Sequence, residues 1–238
     1  MSEAYIVGAV RSAGGRRNGR LSKMHPIDLG AAVVDALVEK TGVAVEEIDD
    51  LIFGCVSQVG AQSGNLGRNV CLSSVLGEAV PGTTVDRQCG SGQQAMHFAA
   101  QAVMSGTSDL VVAGGVQNKS MIPISSAMTL AAEPLGIPDP FTGSTGWVER
   151  FGSGEVYQFN GAEMLVKKYE LSGEELNEFA LASHVNAKRA VEEGRFAEEI
   201  VAIEVELEDG VREMHVQDEG IRLDATIGSI SGLEPMQE

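Results

Sequence analysis

The stretch Thr83-Thr84-Val85-Asp86-Arg87-Gln88-Cys89-Gly90-Ser91-Gly92, continued by QQAMHFAAQAVMSG to Gly106, decides how this chain reads. A short β-branched run leads into a cysteine, a Gly-x-Gly pair follows, and a helix of small residues begins. The first N–H groups of a helix have no intrahelical acceptor and carry the positive end of its dipole. A thiol held there loses its proton more readily, and the thiolate is the nucleophile. The same N–H groups can hold a developing oxyanion. Gly90 and Gly92 put no side chain in the way of an approaching acyl group. On this pattern alone Cys89 reads either as a nucleophile or as a buried structural cysteine, and the residues leave both open.

Outward from Cys89, the first 120 residues alternate strands and helices. Tyr5–Val10 predicts a short apolar strand. Asp28 stands where it can cap a helix through Val38, with Leu29, Val33, Ala36 and Leu37 along one face and Gly42 past its end. Asp50–Val56 is apolar nearly throughout, as in a strand covered on both faces. Gly67–Leu76 predicts a helix, and Thr83–Val85 leads into Cys89. Ala95, Met96, Phe98, Ala99, Ala102 and Val103 leave the next helix little polar surface, which predicts burial between layers. Asp109–Ala113 predicts a strand ending at Gly114-Gly115. The order β-α-β-α-β-α-β implies an α/β layer fold.

Beyond Gly115 the character changes. Residues 120–155 are rich in Pro, Gly, Ser and Thr with weak periodicity, a long excursion of the kind that covers a site. Gly161–Tyr169 and Ser172–Glu193 predict helices, the second opened by a Ser172/Glu175 capping box. Ile200–Leu207 alternates like a strand, and Asp209-Gly210 supplies a hairpin turn into Val211–Val216.

Composition bounds the function. The 238 residues suit one or two domains, and a hydrophobic fraction of 43% is that of an ordinary soluble protein. No run of eighteen apolar residues and no basic-then-apolar leader occurs, so neither a membrane span nor a secretory signal is expected. Cys55, Cys71 and Cys89 form no CxxC, which favours a reducing, cytoplasmic setting and no bound metal. The net charge of −17 is uneven, with 18 acidic and 5 basic side chains in residues 170–238. That sign argues against nucleic acid as a partner, and an anionic coenzyme would need local basic groups. The glycine- and arginine-rich run Arg11–Arg20 is no phosphate loop, because no GxxxxGK[ST] pattern follows it.

VDRQCGSGQQA followed by SDLVVAGG resembles the nucleophile segment of the thiolases, the acetyl-CoA acetyltransferase and 3-oxoacyl-CoA thiolase family. YELSGEELNEFALASHVNAKRAVEEGRFAEEIVAI is similar to the thiolase loop-domain segment, and DEGIRLDATIGSISGLEP to that domain's end. The resemblance thus covers nearly the whole chain. It implies a thiolase-like layered mixed β-sheet core over residues 1–119 and an inserted α+β loop domain over 120–238. Cys89 would be the acyl-accepting nucleophile, and its N–H would donate to one oxyanion. Coenzyme A and acetyl-CoA would enter as substrates, with no permanently bound cofactor. Arg222 and Ser229 stand where the family's loop domain contacts the coenzyme, and a guanidinium suits phosphate or adenine.

Departures accompany the likeness. The family's His-Met-Gly is Phe159-Asn160-Gly161 here, and Met-Glu-Ser-Met-Ser is Val116-Gln117-Asn118-Lys119-Ser120. Both changes bear on the acyl pocket and the coenzyme contacts; a polar Asn160 suits a functionalised acyl chain. The family's second half carries a Gly-His-Pro histidine, an Asn-Glu-Ala-Phe asparagine and a second cysteine, and none of these motifs occurs in this sequence. His97 lies eight residues past Cys89, about 12 Å along a helix, whereas a general base needs roughly 3 Å. His25, His97, His184 and His215 therefore read as structural or surface residues, Arg68 and Arg87 likewise, with Arg87 able to pair with Asp86.

Three readings follow. The first is a thiolase acyltransferase that cleaves 3-oxoacyl-CoA or condenses acetyl-CoA. The second is a catalytically incomplete half that binds acyl-CoA or a partner chain, and the third a ketoacyl synthase-like condensing enzyme. A core lacking its last strand would expose an edge and an apolar patch, so association is expected, as a dimer or tetramer or with a complementary C-terminal half.

Overall fold

The structure, a computed structural model, describes residues 3–130, 132–154, 157–207 and 210–234. Along the chain, β1 (Arg11–Ser12), α1 (Pro26–Thr41), β2 (Asp50–Gly54), α2 (Leu66–Ser73), β3 (Gly82–Val85), α3 (Ser91–Ser105) and β4 (Val111–Gly115) follow the alternating order. Three short helices come next, α4 (Ser126–Thr129), α5 (Ala132–Leu135) and α6 (Thr145–Phe151). After them come α7 (Gln158–Tyr169), α8 (Gly173–Glu192), β5 (Ile200–Val201), β6 (Ile203–Glu206), β7 (Arg212–His215) and α9 (Ile227–Ser231).

The core is built around β2. It pairs in parallel with β3 on one side and β4 on the other, Ile52 lying opposite both Thr83 and Ala113. Side chains alternate across a strand. Leu51 and Phe53 accordingly pack with Val34 of α1 and with Leu66, Val70 and Cys71 of α2. Ile52 packs on the other face with Ala95 and Ala99 of α3. A parallel sheet covered on both faces explains why the β2 sequence is apolar nearly throughout.

Several expectations are corrected. Tyr5–Val10 forms no strand; only Arg11 and Ser12 pair, with Ile200 and Val201, and Tyr5, Ile6 and Val7 are exposed. Tyr5–Val10 stands off from the outer edge of β4, with open troughs lined by both, so no ladder forms between them. The cap of α1 is His25, whose Nδ1 accepts from Ile27 N–H at 3.3 Å, not Asp28, which sits in the first turn. Pro26 has the fixed φ that suits the first helical position and starts the helix earlier than Asp28 would. The helix after Cys89 is covered on one face only: Ala95 and Ala99 are buried, while Met96, Phe98 and Met104 are exposed. The strand expected over Ile200–Leu207 is interrupted at Ala202, giving β5 and β6. The capping box of Ser172 and Glu175 forms as expected. In the hairpin turn between β6 and β7, Asp209 lies outside the described residues.

Contacts divide the chain into two units, Met1–Pro138 with Glu198–Glu219 and Asp139–Ala197 with Gly220–Glu238. Residues 198–219 belong to the first unit for physical reasons on three levels. β5 pairs with β1. Ile203 and Val205 share a buried cluster with Leu21 and Leu29. Polar anchors complete the join: Arg11 donates to both oxygens of Asp218 at 2.7 and 3.0 Å and to Glu199 at 2.6 Å. Asp218 also accepts from Gly14 N–H, Glu219 accepts from the Arg16 and Arg20 N–H groups, and buried His215 bonds the Ala13 carbonyl through Nε2 at 3.1 Å.

In the second unit α8 packs against α9. Lys188 of α8 donates to the Leu223 carbonyl at 3.1 Å, which ties down the segment leading into α9. Phe141, Trp147 and Phe151 form an aromatic stack with ring centroids 4.2 and 4.7 Å apart.

The Arg11 guanidinium holds the Asp218 carboxyl below the usual carboxylate range. A depressed folded-state value makes this contribution complete above the ordinary aspartate value of about 3.9. It is lost as the pH falls through the lower folded value. Asp218→Asn should therefore destabilise the chain by about 1–2 kcal/mol at neutral pH, the worth of a charge-assisted bond. Urea denaturation of the two proteins should differ at pH 7 and converge as the pH falls below the ordinary aspartate range.

Candidate active site

The turn that carries Cys89 is built by local hydrogen bonds. β3 ends at Val85, and the Asp86 carboxylate accepts from Gln88 N–H at 2.7 Å. Gly90 N–H and Ser91 N–H then donate to the Arg87 and Gln88 carbonyls, each at 3.0 Å. Gln88 is thereby held at φ 47°, in the left-handed region, which costs a non-glycine residue about 1 kcal/mol or more. Helix α3 opens directly after this turn, with Gly90 at its N-cap and no side chain capping it. The expected Arg87–Asp86 ion pair does not form, because the Asp86 carboxylate is turned onto the Gln88 amide instead.

Exposure separates the three thiols. Cys55 and Cys71 are buried and Cys89 is exposed. Burial, reinforced by the nearby Asp86 charge, pushes the Cys55 thiol up to about 11, and burial raises Cys71 as well. Protonated thiols in the core are poor nucleophiles. The reading of a cysteine as a small buried hydrophobe thus fits Cys55 and Cys71 and fails for Cys89.

Sequence reasoning missed Gly54. A Cβ placed there would lie 2.4 Å from both the Gly92 nitrogen and the Ser91 carbonyl carbon, so the first turn of α3 rests directly on the β2 backbone. A Cβ at Gly115 would lie 2.7 Å from the Gly54 oxygen. Glycines ending two strands, at Gly54 and at Gly114-Gly115, were the available signal, since glycine inside a strand marks close backbone approach.

The other candidate residues lie elsewhere. Arg222 is exposed in the second unit, and its N–H donates to His184 Nδ1 at 3.2 Å. Ser229 belongs to the capping box of α9: its hydroxyl accepts from Thr226 N–H at 3.0 Å and donates to the Thr226 carbonyl at 2.9 Å. A hydroxyl has one proton and two lone pairs, so Ser229 retains a single lone pair for a ligand donor. Arg68 reaches the Val80 carbonyl at 2.5 Å and holds the loop before β3. His25 caps α1, His184 holds the Arg222 amide, His215 is buried against Ala13, and His97 is on the exposed side of α3.

Beside the outer edge of β4 run two troughs, of about 800 and 590 Å³. The first is bounded by Val10, Leu29 and Val112–Val116, the second by Tyr5–Gly8, Leu37 and Val111–Ala113. Together they separate β4 from the unpaired Tyr5–Val10 segment.

Comparison with known proteins agrees with the geometry. The family "Thiolase, N-terminal domain" matches residues 4–238. Steroid 3-ketoacyl-CoA thiolase FadA6 of Mycobacterium tuberculosis is 46% identical over all of this chain and 57% of its own length. A 3-ketoacyl-CoA thiolase of Bacillus subtilis is 35% identical over 99% of this chain and 59% of its own. The crystal structure of the Bacillus anthracis acetyl-CoA acetyltransferase superposes with a TM-score of 0.79 at 31% identity, over 99% of this chain and 59% of that one. The chain thus spans somewhat under three fifths of the length of these relatives.

Gly54→Ala should set a methyl group against backbone that cannot yield cheaply. It should destabilise the first unit by about 2–3 kcal/mol, as overpacking does. It should also displace the Cys89 turn, so that iodoacetamide labels Cys89 at an altered rate. Denaturant titration and peptide mass spectrometry would check the two effects.

Proposed function

We propose, from the premise that this chain belongs to the thiolase family and carries its N-terminal domain, that Cys89 is the acyl-accepting nucleophile of a 3-oxoacyl-CoA thiolase. The observation that carries this reading is the exposed Cys89 one residue before the N-cap of α3, in a chain whose other two cysteines are buried. In the cleavage direction the Cys89 sulfur attacks the 3-oxo carbonyl carbon, with helix-start N–H groups, that of Cys89 included, donating to the oxyanion. The C2–C3 bond then breaks and its electron pair leaves on acetyl-CoA, which takes up a proton. The thiolate of free coenzyme A next attacks the acyl group on Cys89, displacing the cysteine sulfur and releasing acyl-CoA. Run backwards, the same steps condense two acetyl-CoA units. A carbon–carbon cleavage onto Cys89 followed by one thioester exchange thus divides the reaction into two easier steps. In this proposal proton transfer falls to the Gly-His-Pro histidine and second cysteine of a complementary half.

In the same reading residues 120–238 are the segment that resembles the family's loop domain, and Arg222 and the remaining lone pair of Ser229 contact the coenzyme. The substrate class comes from the 46% identical relative, which is named for steroid 3-ketoacyl-CoA. A ring-bearing 3-oxoacyl-CoA is accordingly the proposed substrate, and Asn160 is consistent with a functionalised acyl chain.

A second reading, that this chain alone is an incomplete half, is favoured by its open surfaces. Tyr5, Ile6 and Val7 are 70–75% exposed beside the unpaired edge of β4, and Met96 and Phe98 lie bare on α3. Such an edge is a template for another strand, and such a patch marks an interface. The proposed occupant is a complementary C-terminal half, with self-association as the substitute when it is absent.

Intact-mass measurement after incubation with acetyl-CoA or a cycloalkyl acyl-CoA tests the nucleophile. One acyl group on Cys89, absent in Cys89→Ala, is the expected result, with the bulkier thioester giving at least the same yield. An adduct on Cys55 or Cys71 would sink the assignment. Failure to acylate except with a C-terminal half supplied would favour the second reading, and a monodisperse monomer by light scattering would count against it. Arg222→Ala should weaken coenzyme A binding about tenfold by calorimetry, the worth of one charge-assisted contact.

A further inference from the structure

We infer that Ser91 is a positioning residue for Cys89: its hydroxyl is a clasp that holds the strained turn immediately before the nucleophile. Ser91 is 4% exposed. Its Oγ accepts from Arg87 N–H at 2.9 Å and donates to the Gln88 carbonyl at 2.6 Å. The two anchored groups bound the backbone dihedrals of Arg87 and Gln88, so one hydroxyl fixes the rotations that set Gln88 at φ 47°. The next residue in the chain is Cys89.

The direction of these bonds distinguishes the clasp from helix capping. A capping serine accepts from helix amides ahead of it. Ser91 is already the first residue of α3 and reaches back, to positions three and four residues earlier. Its hydroxyl spends its only proton and one lone pair on the turn. Asp86 supports the same residue from the other side through the Gln88 N–H. The close approach of Gly54 to the Ser91 carbonyl carbon keeps the anchor itself from shifting. A turn held in this way presents the Cys89 thiol at the helix start without any contact from the clasp to the reacting atoms.

The role rests on Cys89 being the nucleophile of the proposed reaction, but its test reads the thiol directly. The chain would be alkylated with iodoacetamide at neutral pH, with Cys89 followed by peptide mass spectrometry and folding by circular dichroism and thermal melting. Ser91→Ala should fold and alkylate at Cys89 about tenfold more slowly than the wild type, because the turn relaxes out of the left-handed conformation and carries the thiol away from the helix start. Glycine adopts that conformation without a clasp. Gln88→Gly in the Ser91→Ala background should therefore restore the rate to within about threefold of the wild type, which a general packing defect would not allow.

A folded Ser91→Ala protein that alkylates at the wild-type rate overturns the clasp. So does a slow variant that Gln88→Gly leaves slow. If Ser91→Ala fails to fold, the double variant decides: folding with a restored rate supports the clasp, and failure to fold overturns it. Should the wild-type chain and its complementary half never form an acyl-enzyme while this series behaves as stated, the proposed reaction fails and the clasp stands.

Discussion

The first turn of α3 lies against the backbone of β2 at Gly54, with no space for even one carbon between them. Everything chemically notable in the chain is referred to that contact. It brings the helix start onto the carboxyl ends of the parallel strands, where Val85 of β3 and Gly115 of β4 lie opposite Gly54. It leaves Cys89 on a short bridge between a rigid strand and a rigid helix. The strain at Gln88 follows from this, because a chain leaving a strand and entering a helix within five residues has few dihedral routes available. Local polar groups of Asp86 and Ser91 keep it on one of them.

A different kind of bond holds the segment 198–219 to the first unit. Few apolar residues are available there, since charged residues alternate with Ile203 and Val205 along β6. Arg11, Asp218, Glu199 and Glu219 supply what burial cannot, and they use backbone amides of the glycine-rich loop as further donors. The arginine-rich opening of the chain is therefore matched to carboxylates of its own acidic hairpin. This accounts for some of the acidic residues in the C-terminal part of the chain.

The exposed apolar groups have a common placement. The Tyr5–Val10 segment, the edge of β4 and the outer side of α3 are each one-sided versions of what a layered α/β protein covers on both sides. In the second reading proposed above, these are the faces that a complementary half would cover.

The amino-acid sequence by itself determined the alternation of strands and helices, the helix start after Cys89 and the capping box at Ser172, because each rests on contacts within a few residues. It also carried the family, through VDRQCGSGQQA and the segments beyond Tyr169. It misplaced the first strand and overstated the burial of α3. An apolar run promises burial but does not say whether a neighbour is present to provide it. Only the tertiary structure decided which cysteine is accessible, since Cys55 and Cys71 become buried only when strands and helices from other parts of the chain close over them. Tertiary structure likewise decided that Gly54 meets α3 and that Ser91 reaches back to Gln88. The Gly54 contact joins residues nearly forty positions apart through backbone atoms, which every sequence shares, and the direction of a serine hydroxyl is set by the turn it faces.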